Sequence, residues 1–151
     1  MEEENENPSG MRDSSLLVER FEGMLSEGRE CFFDVNDFQE IADHFIQKSN
    51  FEKAFSVLSI AKTQHPYSSD ILLIEADILN LNGKFKEALT ILEKAQALDP
   101  CNPEMFLIRA SVFSRLGSVS SAIRNLKESI RYSVENKDHL YLSLCYEYEN
   151  I

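Results

Sequence analysis

Residues able to act as acids, bases, nucleophiles or metal ligands are scattered along this 151-residue sequence. His44, His65 and His139 are far apart, and no pair of cysteines has the spacing of a zinc site. The sequence also lacks the glycine-rich phosphate loops and the G-x-S-x-G nucleophile motif. Asp43 and Asp77 recur at a regular spacing, and such a pair of carboxylates could act as acid and base. We interpret them instead as solvated residues, and we predict no catalytic residue, no metal and no cofactor.

The cysteines and the N-terminus bear on the compartment of the protein. Cys31, Cys101 and Cys145 are odd in number and widely spaced, which does not suit a disulfide framework. We predict reduced thiols that pack as small hydrophobic side chains in a cytoplasmic protein. The N-terminus, MEEENENPSG, lacks the basic and apolar regions of a signal peptide. No apolar run approaches the roughly 18 residues that a membrane helix needs, so we predict no membrane span.

The net charge of -11 is concentrated at the two ends of the chain. Residues 35–134 carry 12 acidic and 11 basic side chains, whereas residues 1–34 have a net charge of -7 and residues 135–151 one of -3. We interpret these acidic flanks as solubilising segments. No basic stripe is present to neutralise phosphates, so we predict no binding of nucleic acid.

A period of 34 residues organises the middle of the chain, where residues 35–68, 69–102 and 103–136 align without gaps. Small and large residues recur in register: Ala42, Ala76 and Ala110; Ala54, Ala88 and Ala122; Ala61, Ala95 and Ser129; Phe38, Leu72 and Phe106; Phe45, Leu79 and Phe113; Leu58, Leu92 and Leu126. Pro66 and Pro100 close the first two units. The apolar spacing predicts two amphipathic helices per unit, with alanines where the helix axes approach.

Turn residues recur with the same period. Gly83 and Gly117 lie between the two predicted helices of their units, where a left-handed residue ends the first helix. In the first unit Ser49 and Asn50 occupy this turn, and we interpret Asn50 as the residue that replaces glycine. Asn102, which precedes a proline, predicts an N-cap for the next helix.

This set of small, large and proline residues, present three times in register, resembles the tetratricopeptide repeat (TPR) family over residues 35–151. The resemblance implies an all-α fold, a right-handed α–α superhelix of antiparallel helix pairs. The sequence departs from the family pattern at Glu75 and Arg109, where an apolar residue is usual. It also lacks the tryptophan that is frequent in the first helix, where it has Phe38, Leu72 and Phe106.

The residues before the first repeat predict a cap. Residues 14–30 have the pattern of an amphipathic helix, with an apolar stripe formed by Leu17, Val18, Phe21, Met24 and Leu25. We therefore predict a disordered acidic head at residues 1–12 and an N-terminal capping helix within residues 13–34. The runs VERFEGML and CFFDVNDF also resemble uncharacterised bacterial TPR proteins of the Bacteroidetes type.

Residues 137–151 predict a last helix with two possible roles. It is either a C-terminal cap or the first helix of a truncated fourth TPR, and the apolar outer residues favour truncation. Such a helix would expose an apolar surface, and exposed apolar surfaces tend to associate. We predict weak homodimerisation through this end, and the contact residues would be Tyr141, Leu144, Tyr148 and Ile151.

The resemblance also implies a concave groove lined by the first helix of each unit. By register the groove residues are Asn36, Gln39, Asp43, Asp70, Leu73, Asp77, Asn80, Glu104, Leu107 and Ser111. Chaperone-binding members of the family hold a terminal carboxylate with Lys, Arg and Asn. The corresponding positions here carry Gln39, Asp43, Ile74, Glu104 and Ile108, so that clamp is absent. Because the groove set is acidic and apolar, we expect a partner that offers Lys or Arg together with an apolar anchor.

These features predict a non-catalytic scaffold or adaptor for protein–protein interaction. One alternative is a structural module that assembles through the ends of the array. Another is a regulatory N-terminal part of a longer protein whose chemistry lies beyond Ile151.

Overall fold

The computed structural model describes residues 14–151, which form eight α-helices joined by turns, with no strand in that range. The helices are α1 (Ser14–Glu27), α2 (Val35–Gln47), α3 (Phe51–Gln64), α4 (Ser69–Leu81), α5 (Phe85–Leu98), α6 (Pro103–Arg115), α7 (Val119–Tyr132) and α8 (Asp138–Glu149). The predicted acidic head at residues 1–12 lies outside the described residues. None of the described helices is long and apolar enough to cross a membrane.

The helices follow the 34-residue period. The first helices α2, α4 and α6 begin at Val35, Ser69 and Pro103, and the second helices α3, α5 and α7 begin at Phe51, Phe85 and Val119. The most extensive packing occurs within the pairs α2–α3, α4–α5 and α6–α7. First helices of successive pairs also contact each other, α2 with α4 and α4 with α6. The result is a row of helix pairs in which each pair packs on its neighbours.

The turns within the pairs require left-handed backbone. Gly83 and Gly117 have φ values of 77° and 74°, as the sequence predicts. In the first pair the left-handed residue is Ser49, with a φ of 55°. The interpretation of Asn50 as the glycine substitute was therefore wrong. Asn50 is instead the N-cap of α3, because its side chain accepts a hydrogen bond of 3.1 Å from the Lys53 amide.

Other helix ends follow local sequence signals. The predicted N-cap at Asn102 is confirmed, since its Oδ1 accepts from the amides of Glu104 at 2.9 Å and Met105 at 3.3 Å. Asp34 caps α2 in a reciprocal capping box with Asp37. Helix α1 ends at Glu27, before the predicted residue 30, because Gly28 adopts a φ of 66° and closes the helix.

The core is a continuous spine between the helix pairs. The recurrent alanines are buried where helices cross: Ala42, Ala54, Ala76, Ala88, Ala110 and Ala122. Helix α1 covers the first pair through Phe21, whose ring lies 6.0 Å from that of Phe33 and 6.4 Å from that of Phe45. Burial of one such aromatic side chain stabilises the fold by about 2–3 kcal/mol. Helix α1 therefore packs on the first pair, although Leu25 of its predicted apolar stripe is exposed.

The two polar departures from the family pattern have partners on the preceding second helix. Glu75 on α4 pairs with Lys62 on α3, with 2.6 Å between the carboxylate and Nζ. Arg109 on α6 donates a 3.0 Å hydrogen bond to Gln96 on α5. Both partners lie 13 residues earlier in the chain. Polar side chains can therefore replace apolar ones here, because each bridges neighbouring pairs.

The cysteines differ from their predicted packing. All three are free, as expected, but Cys101 and Cys145 are exposed. Cys31 alone among them packs against the core of the first helix pair. The prediction that the thiols pack as small hydrophobic residues was wrong for the two exposed cysteines, which lie in a turn and on an uncovered side of α8.

Candidate functional site

The first helices α2, α4 and α6 carry the predicted groove residues at different depths. Those that are exposed are Asn36, Asp70 and Glu104. Those that are partly buried are Gln39, Asp43, Asp77, Leu107 and Ser111. Leu73 and Asn80 are buried, and Asn80 has no exposed surface, so these two support the wall of the groove and do not offer contacts. Half of the groove residues available to a ligand are therefore carboxylates, and Leu107 is the apolar one.

Three of these carboxylates come from successive first helices, and two of them, Asp43 and Glu104, lie close enough to Asp77 to affect its ionisation. Burial raises the pKa of Asp77 to about 6, and the negative charges of Asp43 and Glu104 add to this effect, whereas Arg115 opposes it. Burial also raises the pKa of Asp43, against a 2.9 Å hydrogen bond from Gln39. The interpretation of Asp43 and Asp77 as solvated residues was therefore wrong, most clearly for Asp77.

The third carboxylate, Glu104, keeps exposed surface at the start of α6. The neighbouring atoms of the groove still desolvate it and raise its pKa, and the charge of His139 acts in the opposite direction. Asp43, Asp77 and Glu104 together form a partly desolvated acidic cluster, which we call the carboxylate triad. A partly desolvated cluster of one sign attracts cations more strongly than the same charges in water.

Asn80 and Arg115 form the wall behind the triad. The Asn80 amide nitrogen donates a 2.9 Å hydrogen bond to Ser111 Oγ, which ties α4 to α6. Arg115 donates to the backbone carbonyl of Asn80 and lies over the Phe85 ring, 5.1 Å from its centroid. The positive guanidinium thereby satisfies the C-terminal end of α4.

A cleft of about 410 Å³ continues the groove between α6 and α8. Leu107 and Ser111, which the sequence placed in the groove, line one side of it. The other side is lined by Leu142, Tyr146 and Glu147 of α8, which the sequence analysis did not assign to the groove. The repeat register could have predicted this lining. Leu142 and Tyr146 are the fifth and ninth residues of α8, and Leu107 and Ser111 are the fifth and ninth residues of α6.

The residues predicted to self-associate lie on a different part of α8. Tyr141, Tyr148 and Ile151 are 49%, 47% and 84% exposed, and Leu144 is partly buried. Tyr141 and Tyr148 correspond by register to Phe38 and Phe45, which are buried in the first pair. They do not line the cleft, so the groove residues and the predicted self-association residues form two separate surfaces.

His44 and His65 pack against aromatic side chains. His65 Nε2 lies 2.8 Å from the Phe33 carbonyl, and its ring packs edge-on against Phe32 and Phe38. His44 packs edge-on against the neighbouring Phe45 ring. Within residues 14–151 no three His, Cys, Asp or Glu side chains are arranged to hold a metal ion.

We compared the sequence and the structure with those of known proteins. No protein-family model matches the sequence, and no curated protein matches it either. Solved structures do match, among them TTC0263, a thermophilic TPR protein of Thermus thermophilus. It is 17% identical, with a TM-score of 0.71, over 90% of this chain and 73% of that one. The chain has a tetratricopeptide repeat fold.

Two further matches show the same TPR architecture. The type III secretion translocator chaperone SycD of Yersinia enterocolitica is 16% identical, with a TM-score of 0.62, over 76% of this chain and 92% of that one. MamA of strain AMB-1 is 14% identical, with a TM-score of 0.64, over 90% of this chain and 80% of that one. The predicted all-α superhelix of TPR helix pairs is thus confirmed.

Proposed function

We propose that this TPR array is a non-catalytic scaffold or adaptor that binds a protein or peptide in its groove. The ligand offers Lys or Arg side chains to the carboxylate triad and an apolar anchor to Leu107. The observation that carries the proposal is the convergence of Asp43, Asp77 and Glu104 from three successive helices. A positive partner is favoured because it offsets the desolvation of the three carboxylates and the repulsion that Asp43 and Glu104 exert on Asp77.

Related folds support a role in binding. SycD is a chaperone of a secretion translocator, so its partner is a protein. An open array of helix pairs also presents a long inner surface to an extended partner. The proposal includes no catalytic step. It places the protein in the cytoplasm, where exposed free thiols such as Cys101 and Cys145 stay reduced.

Peptide selection followed by charge removal tests the proposal. We expect peptides selected on the immobilised protein to be enriched in Lys or Arg next to Leu or Phe. Replacing Asp43→Asn together with Asp77→Asn should weaken their binding by about tenfold or more in calorimetry. A matched control is Glu52→Gln with Glu93→Gln, which removes the same charge from exposed positions on second helices. Selected peptides without basic residues, or equal losses in both variants, would contradict the proposal.

A second candidate function is self-assembly through α8, and the exposure of Tyr141, Tyr148 and Ile151 favours it. SycD has been solved as an alternative dimer, so a related fold associates. We expect light scattering to detect a weak dimer at high protein concentration and Tyr148→Asp to shift it toward the monomer. Tyr67→Asp is the control, since Tyr67 is 91% exposed elsewhere on the array. A strict monomer at all concentrations excludes this candidate.

A further inference from the structure

Glu147 is a carboxylate at a position that carries a buried aliphatic side chain in the two preceding helix pairs. It is the tenth residue of α8, and the tenth residues of α4 and α6 are Ile78 and Val112. Those two side chains have no exposed surface, and Glu147 itself is only 5% exposed. By register, Glu147 should pack between α8 and the preceding pair. Most of the Glu147 side chain is buried, but its carboxylate oxygens keep contact with solvent where the residue borders an open cleft.

Glu147 has no such pair within the described residues. Its side-chain oxygens make no hydrogen bond and no ion pair there. Two cations on α7 have other contacts: Lys127 lies 5.6 Å from the centroid of the Tyr148 ring, and Arg131 pairs with Glu128 at 3.7 Å. The Glu147 carboxylate therefore can accept a cation that the described residues do not supply.

The packing between successive first helices becomes looser next to Glu147. Helices α2 and α4 contact each other, as do α4 and α6, but α6 and α8 make little direct contact. The space between α6 and α8 is the cleft of about 410 Å³, and Glu147 lines it. Leu107, Leu126 and Leu142 supply apolar surface to this cleft, and Tyr146 supplies an aromatic ring. Ser111, Ser114 and Ser143 add hydroxyl groups, so the cleft has a mixed lining in which Glu147 is the one carboxylate among the described residues.

We infer that this cleft receives a Lys or Arg side chain of the bound partner, with Glu147 as its ion-pair acceptor. The inference rests on the proposed function and identifies where the basic anchor is bound. Lys and Arg combine a methylene stem with a terminal cation, which suits a cleft where leucine side chains lie beside a carboxylate. The Tyr146 ring adds a cation–π surface. The carboxylate triad lies further along the groove and receives a second basic residue of the same partner.

Matched peptides test the inference directly. One lysine-containing peptide is chosen from those selected on the protein, and each of its lysines is replaced in turn by norleucine. Norleucine keeps an apolar stem and lacks the ammonium group. We expect Glu147→Gln to weaken the lysine peptide by about tenfold or more. It should leave unchanged the affinity of the peptide whose norleucine replaces the lysine in the cleft. The control is Glu149→Gln, an exposed acid on the same helix, which should change neither affinity.

The outcomes separate this inference from the proposed function. If Glu147→Gln has no effect while Asp43→Asn with Asp77→Asn weakens binding, the groove function stands and the cleft assignment is overturned. If neither change has an effect on selected peptides, both are overturned. Titration with cadaverine distinguishes a free diamine from a peptide side chain. Cadaverine binding that depends on Glu147 and matches the affinity of the peptide would overturn the assignment to a partner side chain.

A stability measurement supplies a readout that needs no ligand. Glu147→Met replaces the unpaired carboxylate with an apolar side chain of similar length. We expect it not to lower the melting temperature and to abolish the preference for lysine over norleucine. A lower melting temperature would show that Glu147 stabilises the fold itself, and it would overturn the inference.

Discussion

Burial raises the pKa of Asp77 more than that of the other groove acids. Its pKa of about 6 lies above the ordinary value of 3.8 because the folded array withdraws the group from water and brings two other acids near it. A carboxyl whose pKa is raised by folding favours the folded state while it is protonated. That contribution is complete below about pH 4 and is lost as the pH rises through about 6.

Asp77→Asn should therefore change stability in a pH-dependent way. The amide keeps the size of the side chain and removes the charge, so we expect the variant to be more stable than the wild type by roughly 1–2 kcal/mol at pH 8. At about pH 4 the two proteins should be equally stable. Urea denaturation across this range measures the difference, with the exposed Asp70→Asn as control. A difference that does not vary with pH would contradict the assignment.

The helix pairs differ at the turn between their two helices. Gly83 and Gly117 adopt left-handed backbone without steric cost, whereas Ser49 holds the same conformation with a side chain. A Cβ added to either glycine has no atom within 4 Å, so the strain at this turn comes from the backbone and not from crowding. The first pair therefore has the least favourable turn of the three.

Ser49→Gly should relieve this strain. We expect the free energy of unfolding to rise by about 0.5–1 kcal/mol, since the gain in conformational freedom of the unfolded chain offsets part of the benefit. The reciprocal change Gly83→Ser should lower it by about 1 kcal/mol. Denaturant midpoints of the two variants give the comparison. A loss of stability in Ser49→Gly would mean that the serine hydroxyl, and not the backbone, determines this turn.

The whole molecule is a linear array in which α4 occupies the centre. Its buried residues contribute to both core clusters: Ile71, Ile74 and Ile78 to the one with α1–α3, and Leu73, Ala76 and Leu79 to the one with α5 and α6. The last helix, α8, packs mainly on α7 and has just two buried residues, Leu140 and Glu147. In a linear array, stability follows such neighbour contacts, so it should decline from α4 toward α8.

Hydrogen exchange should report this gradient. We expect the amides of α4 to exchange most slowly and those of α8 to exchange fastest among the described helices, because α8 opens without disturbing the other pairs. Exchange measured by mass spectrometry on peptides from each helix provides the test. Binding of a selected basic peptide should slow exchange in α8 specifically, since the cleft would then be filled. Equal protection of α4 and α8 in the free protein would contradict the linear description.

The sequence by itself determined the helix pairs, their period, the glycine turns and the cap at Asn102. These features depend on residues within about one helical turn of each other or on simple recurrence, and both are visible in the chain. The tertiary structure alone decided that Ser49 carries the strain, that Asp77 is desolvated and that Cys101 is exposed. It also decided that Glu147 borders a cleft between α6 and α8. Desolvation and clefts depend on how closely helices from different pairs approach, and that distance is a property of the assembled superhelix.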